Sequence, residues 1–134
     1  MFRQLTAAAL ATLALAACEP TTTTSNDPYS TIPTGDYVLF NIGGEVLSVR
    51  HTTMTIAPTQ MTGRTGCNNF VVPVSGTPPE FIAGEIQTNG LTCRWSAQET
   101  KFFNALRQAN KISYEDGVLR ISGGSDTLTF EYGH

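Results

Sequence analysis

The chain has 134 residues, with eight Lys and Arg against eleven Asp and Glu for a formal charge of −3, and only 14% of it is charged, against about 25% in an average soluble domain. That length holds one domain and little else, and the absence of any basic cluster gives no support to nucleic acid or to an anionic membrane surface as an electrostatic partner.

The first residues read as an export signal. Arg3 supplies a positive start, Leu5 to Ala17 an apolar run, and Leu15-Ala16-Ala17-Cys18 the small-residue cleavage pattern of a lipobox. The run is shorter than the ~20 residues needed to span a bilayer, so it reads as a signal and not as a permanent helix. Residues 1–17 are expected to be a lipoprotein signal peptide, with Cys18 lipidated and the mature protein held to a membrane by that lipid. An ordinary secretory signal cut after Ala16 or Ala17 is the competing reading. The cysteine count favours lipid: of three cysteines, assigning Cys18 to lipid leaves Cys67 and Cys93 as a pair.

Cleavage would leave 117 residues, with seven basic against eleven acidic side chains, a net of −4. Residues 18–34 carry three prolines and a run of four threonines. They are expected to form a flexible tether spanning roughly 20 Å. The remainder, residues 35–134, is expected to be a single domain. Tyr37-Val38-Leu39-Phe40, Gly43-Gly44 and Val46-Leu47 suggest a strand, a tight turn and a second short strand. Met54, Ile56 and Met61 suggest another pair. Val71, Val72 and Val74 are β-branched, but Pro73 cannot donate to a ladder and predicts an edge strand or a bulge. Thr77-Pro78-Pro79 reads as a loop, and Phe81 to Ile86 as one further strand ending at Asn89-Gly90.

One helix is predicted. Ser96 with Glu99 three residues later has the form of a capping box, and Phe102, Phe103, Leu106 and Ala109 fall on one apolar face. Asn110 suggests the stop. The period then switches to two: Ile112 and Tyr114, the turn Asp116-Gly117, Leu119 and Ile121, then Leu128, Phe130 and Tyr132. The fold class is therefore α+β, a curved and mainly antiparallel sheet packed against one helix, with a C-terminal β-meander.

Taken together, Gly66-Cys67-Asn68-Asn69-Phe70, Thr92-Cys93, Glu99 opening a helix with Phe103 and Leu106, and Tyr114-Glu115-Asp116-Gly117-Val118-Leu119 resemble the META domain of the HslJ type. The resemblance covers about Asp36 to Tyr132, with Tyr37 standing where the family usually has Trp. It implies a small α+β envelope protein, often a lipoprotein, without an established catalytic activity and associated with heat shock and antibiotic resistance.

The chemistry-bearing residues are few. Cys67 and Cys93 suit a disulfide, a redox pair or half of a metal site; in an exported chain the disulfide leads, and closing a loop of that length would stabilise the fold by ~3–4 kcal/mol in the chain-entropy model. The redox reading lacks a Cys-x-x-Cys, and nothing in the sequence places a helix N-terminus or a cation beside Cys67. His51 and His134 are isolated, and with the two cysteines they lack zinc-ligand spacing, so no metal and no cofactor is expected. A Cys67 nucleophile would need His51 adjacent and the thiol unbridged. No Gly-x-Ser-x-Gly elbow frames a serine, and Glu80 and Glu85 fall on opposite strand faces.

Asn68 and Asn69 suit either a polar recognition loop or a tight turn bonded to its own backbone. Trp95 beside Arg94 is either core or the edge of a partner site, since these residue types dominate interface hot spots. Arg64, Asn68, Asn69, Arg94 and Trp95 are the candidate partner-binding residues. The expectation is a monomeric, non-catalytic lipoprotein on the periplasmic face of the outer membrane, supporting stress tolerance by binding another envelope component. A tethered inhibitor of a periplasmic or extracellular hydrolase is the alternative.

Overall fold

The computed structural model describes residues 31–133, so the expected signal peptide, Cys18 and the tether up to residue 30 lie outside it. Its strands are β1 (Gly35–Ile42), β2 (Glu45–Val46), β3 (Thr53–Ile56), β4 (Gln60–Arg64), β5 (Asn69–Ser75), β6 (Ile82–Ala83) and β7 (Gln87–Thr88). The helix α1 (Ser96–Gln108) follows, then β8 (Lys111–Glu115), β9 (Val118–Ser122) and β10 (Leu128–Tyr132). All strand pairs are antiparallel, in the order β6-β5-β4-β3-β1-β10-β9-β8, with β2 beside β1 and β7 beside β5.

This sheet curves until its ends meet. Glu80 bridges Lys111, the Phe81 N–H donates to the Asn110 carbonyl at 3.1 Å, and the Ile112 N–H donates to Pro79 at 2.8 Å. The expected curved sheet is thus nearly a barrel, a closure that the local sequence pattern does not announce. Helix α1 packs against it through Phe102, Phe103, Ala105 and Leu106. The Phe102 ring lies 5.4 Å from Phe70 and 6.3 Å from Phe130, both nearly edge-on, an arrangement that favours aromatic pairs beyond their burial.

Alternation explains most of the strands. In β5, Phe70, Val72 and Val74 are buried while Asn69, Val71, Pro73 and Ser75 face out. In β1, Tyr37 and Leu39 point inward, but the next inward residue is Ile42, because the register with β10 shifts between Leu39 and Asn41. One extra residue in a strand changes which face its successors occupy. The turn between β8 and β9 has Asp116 at φ 50° and Gly117 at φ 81°, the pair of positive φ values that a two-residue hairpin of the right twist requires.

Three expectations change. The strand predicted from Phe81 to Ile86 is broken into β6 and β7. β6 pairs with β5 at Val74 and Ser75, and β7 pairs with it at Phe70 and Val71, so the interruption falls opposite Val72 and Pro73. Pro73 has no N–H to offer there, although its carbonyl accepts from Gly84 at 2.7 Å. The predicted capping box does not form. Trp95 is the N-cap and no side chain caps the helix; Glu99 is drawn to a loop on the other side of the chain, described below. Finally, residues 32–34, read as tether, join the domain: Ile32 is buried, the Tyr37 hydroxyl donates to the Pro33 carbonyl at 2.6 Å, and the Tyr132 hydroxyl donates to Thr34 at 3.1 Å.

Tyr37 is fully buried and meets Tyr114 and Tyr132 edge-on. Burial, with a smaller contribution from those two phenols, raises its pKa well above the ordinary tyrosine value. The folded state therefore holds the neutral phenol, while the unfolded chain ionises near pH ~10. The linkage is stabilising below that pH and is lost as pH rises above it. The urea midpoint should stay level from about pH 7 to 9 and fall above about pH 10, and Tyr37→Phe should flatten the alkaline fall. An equally steep fall in that variant would show that another group drives it.

Candidate functional site

The end of the barrel that carries the β4–β5 turn gathers most of the residues singled out in the sequence. Arg64 and Asn69 are partners across that hairpin. Between them the Thr65 N–H donates to the Asn68 carbonyl at 2.8 Å, and the Thr65 hydroxyl oxygen accepts from the Cys67 and Asn68 amides at 3.1 and 2.9 Å. Three further hydrogen-bonded groups then close around Asn68. Its Oδ1 accepts the Leu91 N–H at 2.8 Å, and its Nδ2 donates to the Leu91 carbonyl at 2.9 Å. The other hydrogen of Nδ2 is shared between the two Glu99 carboxylate oxygens, which lie 2.9 and 2.8 Å from the nitrogen. The Thr65 hydroxyl also donates to Glu99.

Asn68 is accordingly buried, and its amide is spent on holding two loops and α1 together. It offers a partner no free donor, and it does not bond its own turn either, a role taken by the Thr65 hydroxyl; the Asn68 side chain instead bridges distant segments. Asn69 is exposed and lines a shallow cleft of about 200 Å³ with Val71, Gln87 and Asn89. Its backbone N–H donates to the Asn89 side chain at 2.8 Å.

The disulfide joins the same two loops. Cys67 and Cys93 are bonded, with Cα atoms 5.6 Å apart and a separation of 26 positions in sequence. Beyond Cys93, the exposed Arg94 lays its guanidinium 4.7 Å from the Trp95 ring centre, a cation–π contact. Trp95, half-buried, stands edge-on to His51 at 4.5 Å. Gly66 lets this stack form: a Cβ there would lie 2.7 Å from Trp95 Cδ1 and 2.8 Å from the His51 ring. Arg64 is exposed at the foot of the hairpin.

Four of the five candidates, Arg64, Asn69, Arg94 and Trp95, are thus surface residues of this end, and the fifth is the clamp beneath them. His51 belongs to the same cluster. It looks isolated in the sequence because 44 positions separate it from Trp95, and no spacing rule links the two. Among the described residues, no group of three or more His, Cys, Asp or Glu is arranged to hold a metal ion, and no helix is long and apolar enough to cross a membrane.

Two solved structures share the architecture. A protein from Burkholderia xenovorans solved by NMR is similar at a TM-score of 0.61, with 18% identity over 79% of this chain and 88% of that one. A second protein solved by NMR is similar at a TM-score of 0.62, with 14% identity over 78% of this chain and 92% of that one. No curated protein matches the chain. The family model of the META domain matches residues 30–132, the stretch that contains the barrel, the Asn68 clamp and the disulfide, and the chain belongs to that family.

Proposed function

We propose that this is a non-catalytic META-domain lipoprotein, anchored through Cys18 on the periplasmic face of the outer membrane. There it supports envelope stress tolerance by binding another envelope component. The observation that carries the binding reading is the Arg94, Trp95 and His51 stack, whose Arg94 and Trp95 sit on a loop that a disulfide and the Asn68 clamp both restrain. A rigid aromatic and an arginine lose little conformational freedom on docking, the circumstance in which they contribute most to affinity. The lipobox, the Thr- and Pro-rich segment and the absence of a nucleophile motif support the rest. The rigidity of this exposed loop pair favours one more specific version, a tethered inhibitor of a periplasmic or extracellular hydrolase, whose anchoring would raise its effective concentration at the membrane.

The test is photo-cross-linking in intact cells from a probe placed at Asn69. One envelope protein should be captured, and Trp95→Ala should lower its capture by about tenfold or more, the effect of a lost hot spot of ~1.4 kcal/mol. Cys18→Ser should move the protein out of the membrane fraction. Capture that ignores Trp95→Ala, or recovery of lipid alone, would defeat the binding reading. Turnover by a captured hydrolase that falls when the protein is added would select the inhibitor.

A further inference from the structure

The sequence predicts a helix opening just after Cys93 but offers no reason to place its terminus beside Cys67, yet the structure puts both sulfurs there. Helix α1 begins at Ser96. The Trp95 N–H donates to Cys93 Sγ at 3.3 Å. The Ser96 hydroxyl oxygen accepts the Cys93 N–H at 2.9 Å, which leaves its own proton to turn toward Cys67 Sγ, 3.7 Å away. Cys93 is exposed and Cys67 half-buried. Donors at a helix N-terminus and a neighbouring cation both favour thiolate over thiol. Arg94, next to Cys93 in the chain, holds its guanidinium over the Trp95 ring, and Glu99 lies on the first turn of α1. The carboxylate is committed to Asn68 and Thr65. His51 faces Trp95 from the start of β3.

We propose that Cys67–Cys93 is a thiol-exchange site, opened by the dithiol of a partner oxidoreductase that attacks the exposed Cys93 sulfur and re-formed, through the same steps in reverse, by the disulfide form of that partner. In the first step a thiolate of that dithiol bonds to Cys93 Sγ, the Cys67–Cys93 bond breaks, and Cys67 departs as a thiolate beside the Ser96 hydroxyl. In the second, the dithiol's other sulfur, as thiolate, attacks the partner sulfur of the mixed disulfide. Cys93 departs as a thiolate beside the Trp95 N–H. Two electrons pass from the dithiol to the protein, the dithiol becomes a disulfide, and its two protons go to the released sulfurs or to solvent.

The fold is built to survive this. Asn68 ties the Cys67 loop to Leu91, two residues from Cys93, and to α1 through Glu99. Opening the cross-link lowers global stability through the unfolded chain's entropy, but the thiols stay opposite one another and in reach of their donors. This inference does not depend on what the Arg94 and Trp95 face binds.

The test treats the purified mature protein with dithiothreitol in native buffer, with trapping by iodoacetamide and peptide mass spectrometry. Both thiols should be released without denaturant while the circular dichroism spectrum stays native. In the reduced protein, alkylation of Cys93 should titrate about one unit below the ~8.5 of an ordinary thiol, equivalent to roughly tenfold more thiolate near neutrality. Ser96→Ala should slow opening by about threefold or more through loss of a donor to the departing Cys67, and Ser96→Thr should restore it. A disulfide that yields only under denaturant, or a Cys93 that titrates at or above the ordinary value, would overturn the proposal. Both readouts use the wild-type chain, so poor folding of a variant leaves the result decisive.

Discussion

Phe102→Ala is expected to destabilise the domain by about 3–5 kcal/mol, the usual cost of emptying a buried phenylalanine site. Its ring is wholly buried and touches Phe70 on β5, Phe130 on β10 and Phe103 on its own helix. It therefore keys α1 to two distant parts of the barrel at once. Truncation removes the transfer energy of the ring and leaves a cavity whose walls, three aromatics held by a nearly closed sheet, have little room to collapse. Urea denaturation should show a lower midpoint at an unchanged slope, and the thermal midpoint should fall by about 15–25 °C for a domain of this size. The exposed Lys101→Ala, one residue away, should change stability by no more than ~0.5 kcal/mol. A loss below about 1 kcal/mol for Phe102→Ala would mean that the helix is held elsewhere.

Asn68→Ala should cost about 3 kcal/mol, although it removes only a small side chain. The loss comes from what is stranded: the Leu91 N–H and carbonyl lose their Asn68 partner and the Glu99 carboxylate keeps the Thr65 hydroxyl but loses the Asn68 amide, and a buried group left unpaired costs ~1–3 kcal/mol. Asn68→Asp should be worse at neutral pH, because it sets a second carboxylate against Glu99. Its stability should rise as pH falls, since protonating either acid relieves the repulsion. Asn69→Ala, where the backbone rather than the side chain bonds Asn89, should lie within ~0.5 kcal/mol of wild type. Equal effects at the two asparagines in urea titrations would refute the clamp. Because the clamp and the disulfide restrain the same pair of loops, Asn68→Ala with a reducing agent should lose more stability than the sum of the two changes made alone.

The parts of this fold legible in the sequence are those fixed by neighbours in the chain. The hairpin at Asp116-Gly117, the strands around Tyr37 and Met54 and the apolar face of α1 each follow from alternation, turn chemistry or helical spacing over fewer than a dozen residues. What the sequence hides is set by contacts between distant segments. Glu99 has the right spacing to cap α1 with Ser96, but the Asn68 amide and the Thr65 hydroxyl both donate to its carboxylate in a part-buried setting, and that interaction wins. The strand predicted at Phe81 breaks because of a proline on a different strand. The meeting of Glu80 with Lys111 has no local signature at all. The site divides the same way: residue type alone marked Arg94 and Trp95 as candidates, whereas only the folded chain brings His51 to them and turns Asn68 away from solvent.

The meeting of the sheet's two ends has a consequence for life in company. A β-rich domain with an open, flat edge invites the backbone of a neighbour to add to it, the first step toward fibrils and precipitates. Here the start of β8 is already occupied by residues 79–81, β6 at the other end of the strand order is only two residues long, and β8 carries the charges of Lys111 and Glu115 on exposed positions. Little uncommitted ladder is left for another molecule to recruit. The backbone route by which one copy would add to another is thereby narrowed.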